Sequence, residues 1–311
     1  MNLTDRNSNM PGIGIIANPH SKLNKRSPHT LSLMAEAVGQ NGIFTITRDL
    51  DHLDETLKSY KAQEISILGI NGGDGTISQI ITRMIGIYGS QPLPLLAVLR
   101  GGTMNLIAAQ LSIEGPPHEN IKKLVALVQS QKTLPTQRLS TLKINAIYGF
   151  LYADQSSTAI LEEFYRKKSG HLGAAWLATK VTSSFLVKGP LIRSVIQAHP
   201  LKAQFKPSGS VDRKVLGCFA GTITKFPLGF PFLPLARRYP DHFQVTAVTC
   251  KADSLLWNLP LILLVQKEGR SIGKESFCVK EAKLDYEGEA HFTVDGEIYR
   301  APKGDILIEA G

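Results

Sequence analysis

The stretch that most constrains this chain is residues 65–76, Ile-Ser-Ile-Leu-Gly-Ile-Asn-Gly-Gly-Asp-Gly-Thr. The apolar run Ile65 to Ile70 has the length and content of a buried strand. It breaks at Asn71-Gly72-Gly73-Asp74-Gly75, and from Thr76 an apolar helical face follows in Ile77, Ile80, Ile81, Met84 and Ile85. A buried strand that feeds a helix through such a turn belongs to an open α/β sheet. Gly72, Gly73 and Gly75 have no side chain to hold a ligand off the backbone. Their N–H groups and the following helix N-terminus make a site for an anion such as phosphate. Asp74 would be repelled by phosphate, so it reads as a group that holds a cation or a hydroxyl. On that reading Asp74→Asn abolishes activity and leaves the fold intact. The competing reading is a tight strand–helix turn with an Asp cap.

The neighbouring sequence repeats the pattern. Gly12 to Ala17 reads as a strand that ends at Asn18-Pro19-His20-Ser21-Lys22. Leu31, Met34, Ala35 and Val38 mark a helix, Phe44 to Thr47 a second strand, and Leu53 to Tyr60 a second helix. Pro94 to Leu99 is a further strand, which opens into Gly101-Gly102-Thr103-Met104-Asn105 and a helix from Leu106 to Leu111. Pro116-Pro117 starts another helix, Ile121 to Val128. Ligands of such parallel sheets bind beyond the carboxyl ends of the strands, where two glycine loops can grip one polyphosphate. Gly12-x-Gly14-x-x-Ala17 matches a dinucleotide fingerprint by spacing alone, because its glycines lie within the strand and not in the turn after it.

Beyond Pro135 the texture changes. Leu139 to Tyr152 alternates like a strand, and Leu161 to Ile196 reads as mostly helical around Leu172, Trp176, Phe185 and Leu186. Short strands are expected at Val215–Phe219, Phe243–Thr249, Phe277–Tyr286, His291–Val294 and Ile306–Ile308, which together make an antiparallel β-domain with a helical insert. The expected division is a disordered N-terminus at 1–11, a nucleotide-binding α/β domain at 12–136 and a β-rich domain at 137–311.

Charge and cysteine content narrow the function. A formal charge of +9 favours anionic partners. The basic residues are scattered and form no nucleic-acid tail, so no nucleic-acid partner is expected. Cys218, Cys250 and Cys278 have no short spacing, which argues against a disulfide framework or a zinc site and suits a reducing compartment. Residues 1–11 lack the apolar core of a signal peptide. The longest apolar run, Leu255 to Val265, contains Asn258 and Pro260 and is too short to span a bilayer. The expectation is a soluble or peripheral protein. G-x-x-x-x-G-K-[ST], H-E-x-x-H and G-x-S-x-G are all missing.

Asn18-Pro19-x-Ser21, Gly72-Gly73-Asp74-Gly75-Thr76, Gly102-Thr103-x-Asn105 and Asp295-Gly296-Glu297, in this order, resemble the diacylglycerol kinase catalytic-domain family, which includes bacterial lipid kinases and the sphingosine and ceramide kinases. The resemblance covers nearly the whole chain. It implies an NAD kinase/diacylglycerol kinase-like α/β domain with an open parallel sheet, then a C-terminal antiparallel β-sandwich that carries the lipid substrate. It implies an ATP-dependent lipid kinase that phosphorylates a hydroxyl of diacylglycerol or a related lipid, with ATP and Mg²⁺ as cofactors. The nucleotide site would comprise Asn18, Thr47, Gly72, Gly73, Asp74, Gly75, Thr76, Ile77, Ser78, Gly102, Thr103 and Asn105. The proton acceptor would be Glu297 with Asp295 beside it, and Mg²⁺ would lie near Asp74. Pro234-Leu235-Ala236 and Asp241 resemble a segment that holds a structural Mg²⁺, with Asp241 as side-chain ligand and main chain near Arg238 and Phe243. The implied setting is cytoplasmic and peripheral, at an anionic membrane surface on its inner face, with a homodimer left open.

The chain departs from the family pattern at Lys22 (usually Gly), Gln79 (Glu), Arg100 (Pro), Leu106 (often Asp) and His242 (Gly). Lys22 and Arg100 add positive charge beside the phosphate loops. Loss of acids at Gln79 and Leu106 leaves room for altered activity. A soluble-metabolite kinase of the NAD kinase type shares the Gly72–Thr76 loop, and Gly102-Thr103-x-Asn105 argues against it. A non-catalytic nucleotide- or lipid-binding regulator is the third reading. For Asp295-Gly296-Glu297 the alternative is a plain hairpin turn.

Overall fold

A computed structural model describes residues 12–156, 158–159, 197–207, 209–224, 233–265 and 267–311. The expected disordered stretch 1–11 and the helical insert 161–196, with Trp176, lie outside the described residues. The chain divides into two compact units, Met1–Arg138 and Leu139–Gly311.

In the first unit a parallel sheet runs in the order β2 (Gly42–Ile46), β1 (Ile13–Ala17), β3 (Ile67–Gly72), β4 (Leu95–Arg100). The helices are α1 (Lys22–Arg26), α2 (His29–Val38), α3 (Leu50–Ala62), α4 (Asp74–Tyr88), α5 (Leu106–Gln110) and α6 (Pro117–Gln129). β1 and β3 are buried along their whole length, which is why both read as unbroken apolar runs. Ile13, Ile15, Ile67 and Leu99 pack with Met34 and Val38 of α2 and with Ile121 and Val125 of α6. Gly14, on the opposite side of β1, meets the Tyr60 ring of α3, and a Cβ there would collide with that ring. The Tyr60 hydroxyl donates to the Ile15 carbonyl at 3.2 Å. Gly14 is thus a packing glycine inside a strand, as its position before the turn implies. Asp49 caps α3 by accepting the His52 N–H at 2.8 Å.

The second unit holds two antiparallel sheets. One runs β12 (Gly269–Ser271), β13 (Lys274–Val279), β11 (Phe243–Val248), β10 (Gly217–Gly221), β7 (Leu151–Asp154), β15 (Ala290–Val294), β16 (Glu297–Ala301). The other runs β6 (Ile147–Gly149), β5 (Leu142–Ile144), β17 (Asp305–Ala310), β14 (Glu281–Tyr286), β8 (His199–Lys206), β9 (Ser210–Val215). Tyr152, Cys218, Val245 and Phe292 of the first sheet share one core with Leu201, Phe205, Leu284 and Ile308 of the second. Two sheets that bury their inner faces on each other form a sandwich. Beyond the first unit the described residues include a ten-residue helix, α7 (Leu255–Leu264). No described helix is long and apolar enough to cross a membrane.

Three strand readings need correction. Leu139 to Tyr152 is three strands, because the chain turns at Asn145, whose φ is +51°, and again near Phe150. Val215–Phe219 and Phe277–Tyr286 each span two strands that lie in different sheets. The crossings occur at Leu216 and at Lys280, one residue each, and strand-like apolar sequence continues on both sides of them, so the pattern conceals the corner. Strands β8, β12 and β16 went unread.

Candidate functional site

In the first unit the strand order places a reversal between β1 and β3: the chain leaves β1 toward β2 and leaves β3 toward β4. Loops at the carboxyl ends of those strands define the crevice where such sheets bind ligands. Asn18 begins one loop. Its N–H donates to the Asn71 carbonyl at 2.9 Å, and its side-chain Nδ2 donates to Thr76 Oγ1 at 2.9 Å. Asn71 is fully buried and donates through Nδ2 to the Arg100 carbonyl at 3.1 Å. Three loops are thus tied by carboxamides before any ligand is considered.

The glycines explain how close these loops come. β3 runs through Gly72, Gly73 is the N-cap, and α4 starts at Asp74, two residues earlier than its apolar face suggests. The turn is one residue long. Gly101 N–H donates to the Gly72 carbonyl at 2.9 Å. A Cβ on Gly102 would sit 2.5 Å from the Gly73 Cα, so two stretches of bare backbone lie against each other. Gly73 offers no side-chain cap, and the N–H groups of the first turn of α4 have no intrahelical partner. This fifteen-residue helix therefore presents positive partial charge at the crevice.

Asp74 takes a role that the sequence reading assigned differently. Its Oδ2 accepts the Leu106 N–H and its Oδ1 accepts the Ile107 N–H, each at 3.1 Å. The carboxylate caps α5, whose own N-cap Asn105 sits in the left-handed region and offers it no side-chain bond. Asn105 instead closes the preceding turn, accepting the Gly102 N–H at 3.0 Å and donating to the Gly102 carbonyl at 2.9 Å. Burial pushes the Asp74 carboxyl above its ordinary value, and the backbone N–H groups pull the other way. The expectation that Asp74 can be neutralised without cost to the fold is therefore corrected. With Leu106 supplying an N–H to Asp74, the departure at that position leaves the loop connection in place.

The other candidates fall into two groups. Ile77 and Ser78 are buried in α4, and Thr47 is buried with its N–H on the Ala17 carbonyl. Gly75 and Thr76 are half-buried in the first turn, and Thr103 is exposed. Lys22 is half-buried at the start of α1, and Arg100 is half-buried at the end of β4.

In the second unit Asp295 and Gly296 form the two-residue turn of the β15–β16 hairpin, with φ values of +49° and +89°. Positive φ at both positions is the type I′ hairpin signature. The Asp295 carboxylate accepts the Phe150 N–H at 3.0 Å and the Leu151 N–H at 2.9 Å. Glu297, one residue beyond the turn, is exposed. The hairpin is real, and it holds one acid in place while presenting the other.

Asp241 has a φ of +54° and shares a cavity with Lys206, His242, Lys280, Glu281 and Glu309. Lys206 lies 2.8 Å from Glu281, so a lysine already holds the charge a metal would balance. Phe243 is buried in β11, and the Arg238 N–H donates to the Leu235 carbonyl at 2.9 Å. With Glu281 paired to Lys206, a cation held by Asp241 would have to draw its other ligands from the main chain. Among the described residues no group of three or more His, Cys, Asp or Glu side chains gathers to hold a metal.

Sequence reasoning missed Asn24. It is buried in α1 and donates through Nδ2 to the Asn18 carbonyl and to Asn71 Oδ1, both at 2.7 Å. The signal was an amide in the helix directly after the Asn18 loop. It also missed Asp154, whose Oδ2 accepts both Tyr152 and Tyr286 hydroxyls at 2.7 Å while Oδ1 accepts the Cys218 N–H at 2.6 Å. Nothing in the pattern marks Asp154, because besides Tyr152 in its own strand its partners come from two distant parts of the chain.

Residues 13–135 match the family model described as the diacylglycerol kinase catalytic domain. No curated protein matches the chain. Three solved structures from Bacillus anthracis str. Sterne share the fold. A "putative diacylglycerol kinase" has a TM-score of 0.70 at 16% identity, covering 97% of this chain and 94% of that one. A second so described has a TM-score of 0.68 at 17% identity, with coverage of 97% and 94%. A third, described as one of the diacylglycerol kinases, has a TM-score of 0.66 at 14% identity, covering 96% and 93%. The chain thus carries the diacylglycerol kinase catalytic-domain match over residues 13–135 of its α/β unit and, across nearly its whole length, the two-part architecture seen in diacylglycerol kinase-like structures.

Proposed function

We propose that the chain is an ATP-dependent lipid kinase that transfers the γ-phosphate to a hydroxyl of diacylglycerol or a related lipid. The observation that carries this reading is the pair of glycine loops packed backbone to backbone beside the uncapped N-terminus of α4. Phosphoryl transfer depends on positioning and charge neutralisation more than on covalent chemistry, and this crevice supplies both. The first-turn N–H groups of α4 bind phosphate oxygens, Lys22 and Arg100 add charge, and Thr103 stands exposed at the rim to meet the nucleotide. Asn18, Asn24 and Asn71 keep the three loops in register. Mg²⁺, when bound, neutralises the phosphates. With single carboxylates and no side-chain cage among the described residues, the donor set suits a metal carried in on the nucleotide. Glu297 accepts the hydroxyl proton, since Asp295 is committed to two backbone N–H groups.

The test is turnover of labelled ATP on a panel of lipid alcohols, with NAD included. Phosphorylated lipid supports the proposal. Phosphorylated NAD replaces it with the soluble-metabolite kinase, and no product with retained nucleotide binding replaces it with a regulator. On the active substrate, Glu297→Gln is expected to lower kcat by about two orders of magnitude or more and to leave ATP affinity within a few-fold. Normal turnover by that variant removes Glu297 from the mechanism.

A further inference from the structure

The apolar run that sequence reading set aside as too short to span a bilayer folds as α7 and carries an unusual surface. Trp257 is 79% exposed and Leu261 is 39% exposed. They are four residues apart, so they share one face of the helix. Ile272, at the tip of the β12–β13 hairpin, is 59% exposed. The tip lies against the helix, because a Cβ on Gly273 would meet Ile262 at 3.2 Å and Asn258 at 3.4 Å. Ile262 is buried there, one position round from Leu261. Lys274, itself buried, donates its ammonium to the Ile262 carbonyl and fastens hairpin to helix from beneath. A large aromatic, an aliphatic and a β-branched residue are thus exposed on a helix and a hairpin tip that touch each other.

The charges around this patch are mostly positive. Lys251 precedes α7, Lys267 follows it, and Arg270 lies two residues before Ile272 on the hairpin; all three are exposed. The acids nearby are Asp253, exposed at the start of the helix, Glu268, 3.8 Å from Arg238, and Glu275, which is buried between Arg213 and Arg270. A Trp flanked by aliphatic residues and Lys or Arg is the composition that settles into the headgroup boundary of a bilayer. We propose that α7 and the β12–β13 tip form a membrane-docking surface, in which Trp257, Leu261 and Ile272 enter the interface and Lys251, Lys267 and Arg270 meet anionic headgroups.

The docking surface does not depend on the kinase reading, and it is tested without nucleotide so that the two can fail separately. The full chain is co-sedimented with phosphatidylcholine vesicles and with vesicles containing about 30 mol % phosphatidylglycerol. Wild type is expected to partition onto the anionic vesicles and much less onto the neutral ones. Trp257→Ser combined with Ile272→Ser changes only exposed side chains. It should weaken partition onto the anionic vesicles by at least about tenfold while the thermal unfolding curve stays in place. Wild-type partition by the double variant, or no binding of wild type to either vesicle, overturns the proposal. So does a variant that loses a dimer in sedimentation velocity and keeps its vesicle binding, which would make the patch a contact between two copies of this chain.

Discussion

Asp74 and Asp295 solve the same problem in different units. Each carboxylate accepts two consecutive backbone N–H groups, Leu106 and Ile107 in one case and Phe150 and Leu151 in the other. Replacing either by Asn turns one acceptor into a donor facing a donor. A buried N–H left without its partner costs about 1–3 kcal/mol. Asp74→Asn and Asp295→Asn are therefore both expected to lower the urea midpoint, and any loss of activity will contain a folding component. Glu297→Gln, at an exposed position, is expected to leave the midpoint unchanged. Equal midpoints for all three variants would show that these carboxylates do not hold the loops. Asp74 was legible as a special acid because it stands alone among glycines. Its partner was not legible, since the two N–H groups it caps lie more than thirty positions away.

At the level of elements, the glycine loops are a joint between β3, β4, α4 and α5. Gly102→Ala places a methyl 2.5 Å from the Gly73 Cα, where no flexible side chain can yield. The loops must separate, which strains the Gly101–Gly72 hydrogen bond and moves the start of α4. On the proposed nucleotide reading, the expected result is a destabilised protein whose nucleotide affinity falls by about tenfold or more, since a phosphate site is sensitive to sub-ångström placement. Calorimetric titration with a non-hydrolysable ATP analogue reads it, and unchanged affinity would mean that the loops can part without consequence. Apart from the short α1, which went unread, the elements of the α/β unit were readable because its buried strands are continuous apolar runs and its longer helices have clean periodicity. The sandwich was readable only in outline. At Leu216 and Lys280 a strand passes from one sheet to the other in a single residue, and alternation along the chain carries no record of which sheet it serves.

Taken as a whole, the second unit has an ionisable group at its centre. Asp154 is fully buried, and desolvation pushes its carboxyl up to about 6 despite the opposing hydrogen bonds from Cys218 N–H, Tyr286 and Tyr152. In the unfolded chain the same group titrates near its ordinary value. Between these two values the folded state holds the proton more tightly, so this contribution to stability is present at low pH and is lost as pH rises through about 6. Its size is on the order of 3 kcal/mol. Asp154→Asn has no such proton to lose. The stability difference should therefore shift toward the variant as pH rises from about 4 to about 7, read from urea midpoints at each pH. A constant difference would mean that Asp154 does not titrate in this window.

The same sandwich is closed by strands from opposite ends of its sequence. β17 sits between β14 and β5, and β15 pairs with β7, so residues beyond 289 are woven into both sheets with partners from the unit's first strands. The turn at Glu287-Gly288-Glu289 between β14 and β15 is exposed. A protease that cuts there breaks one covalent link and leaves several ladders intact. The two pieces should then migrate as one particle until denaturant is added, so the domain would behave as a non-covalent heterodimer of its own fragments, and a gel under native conditions would not reveal the cut.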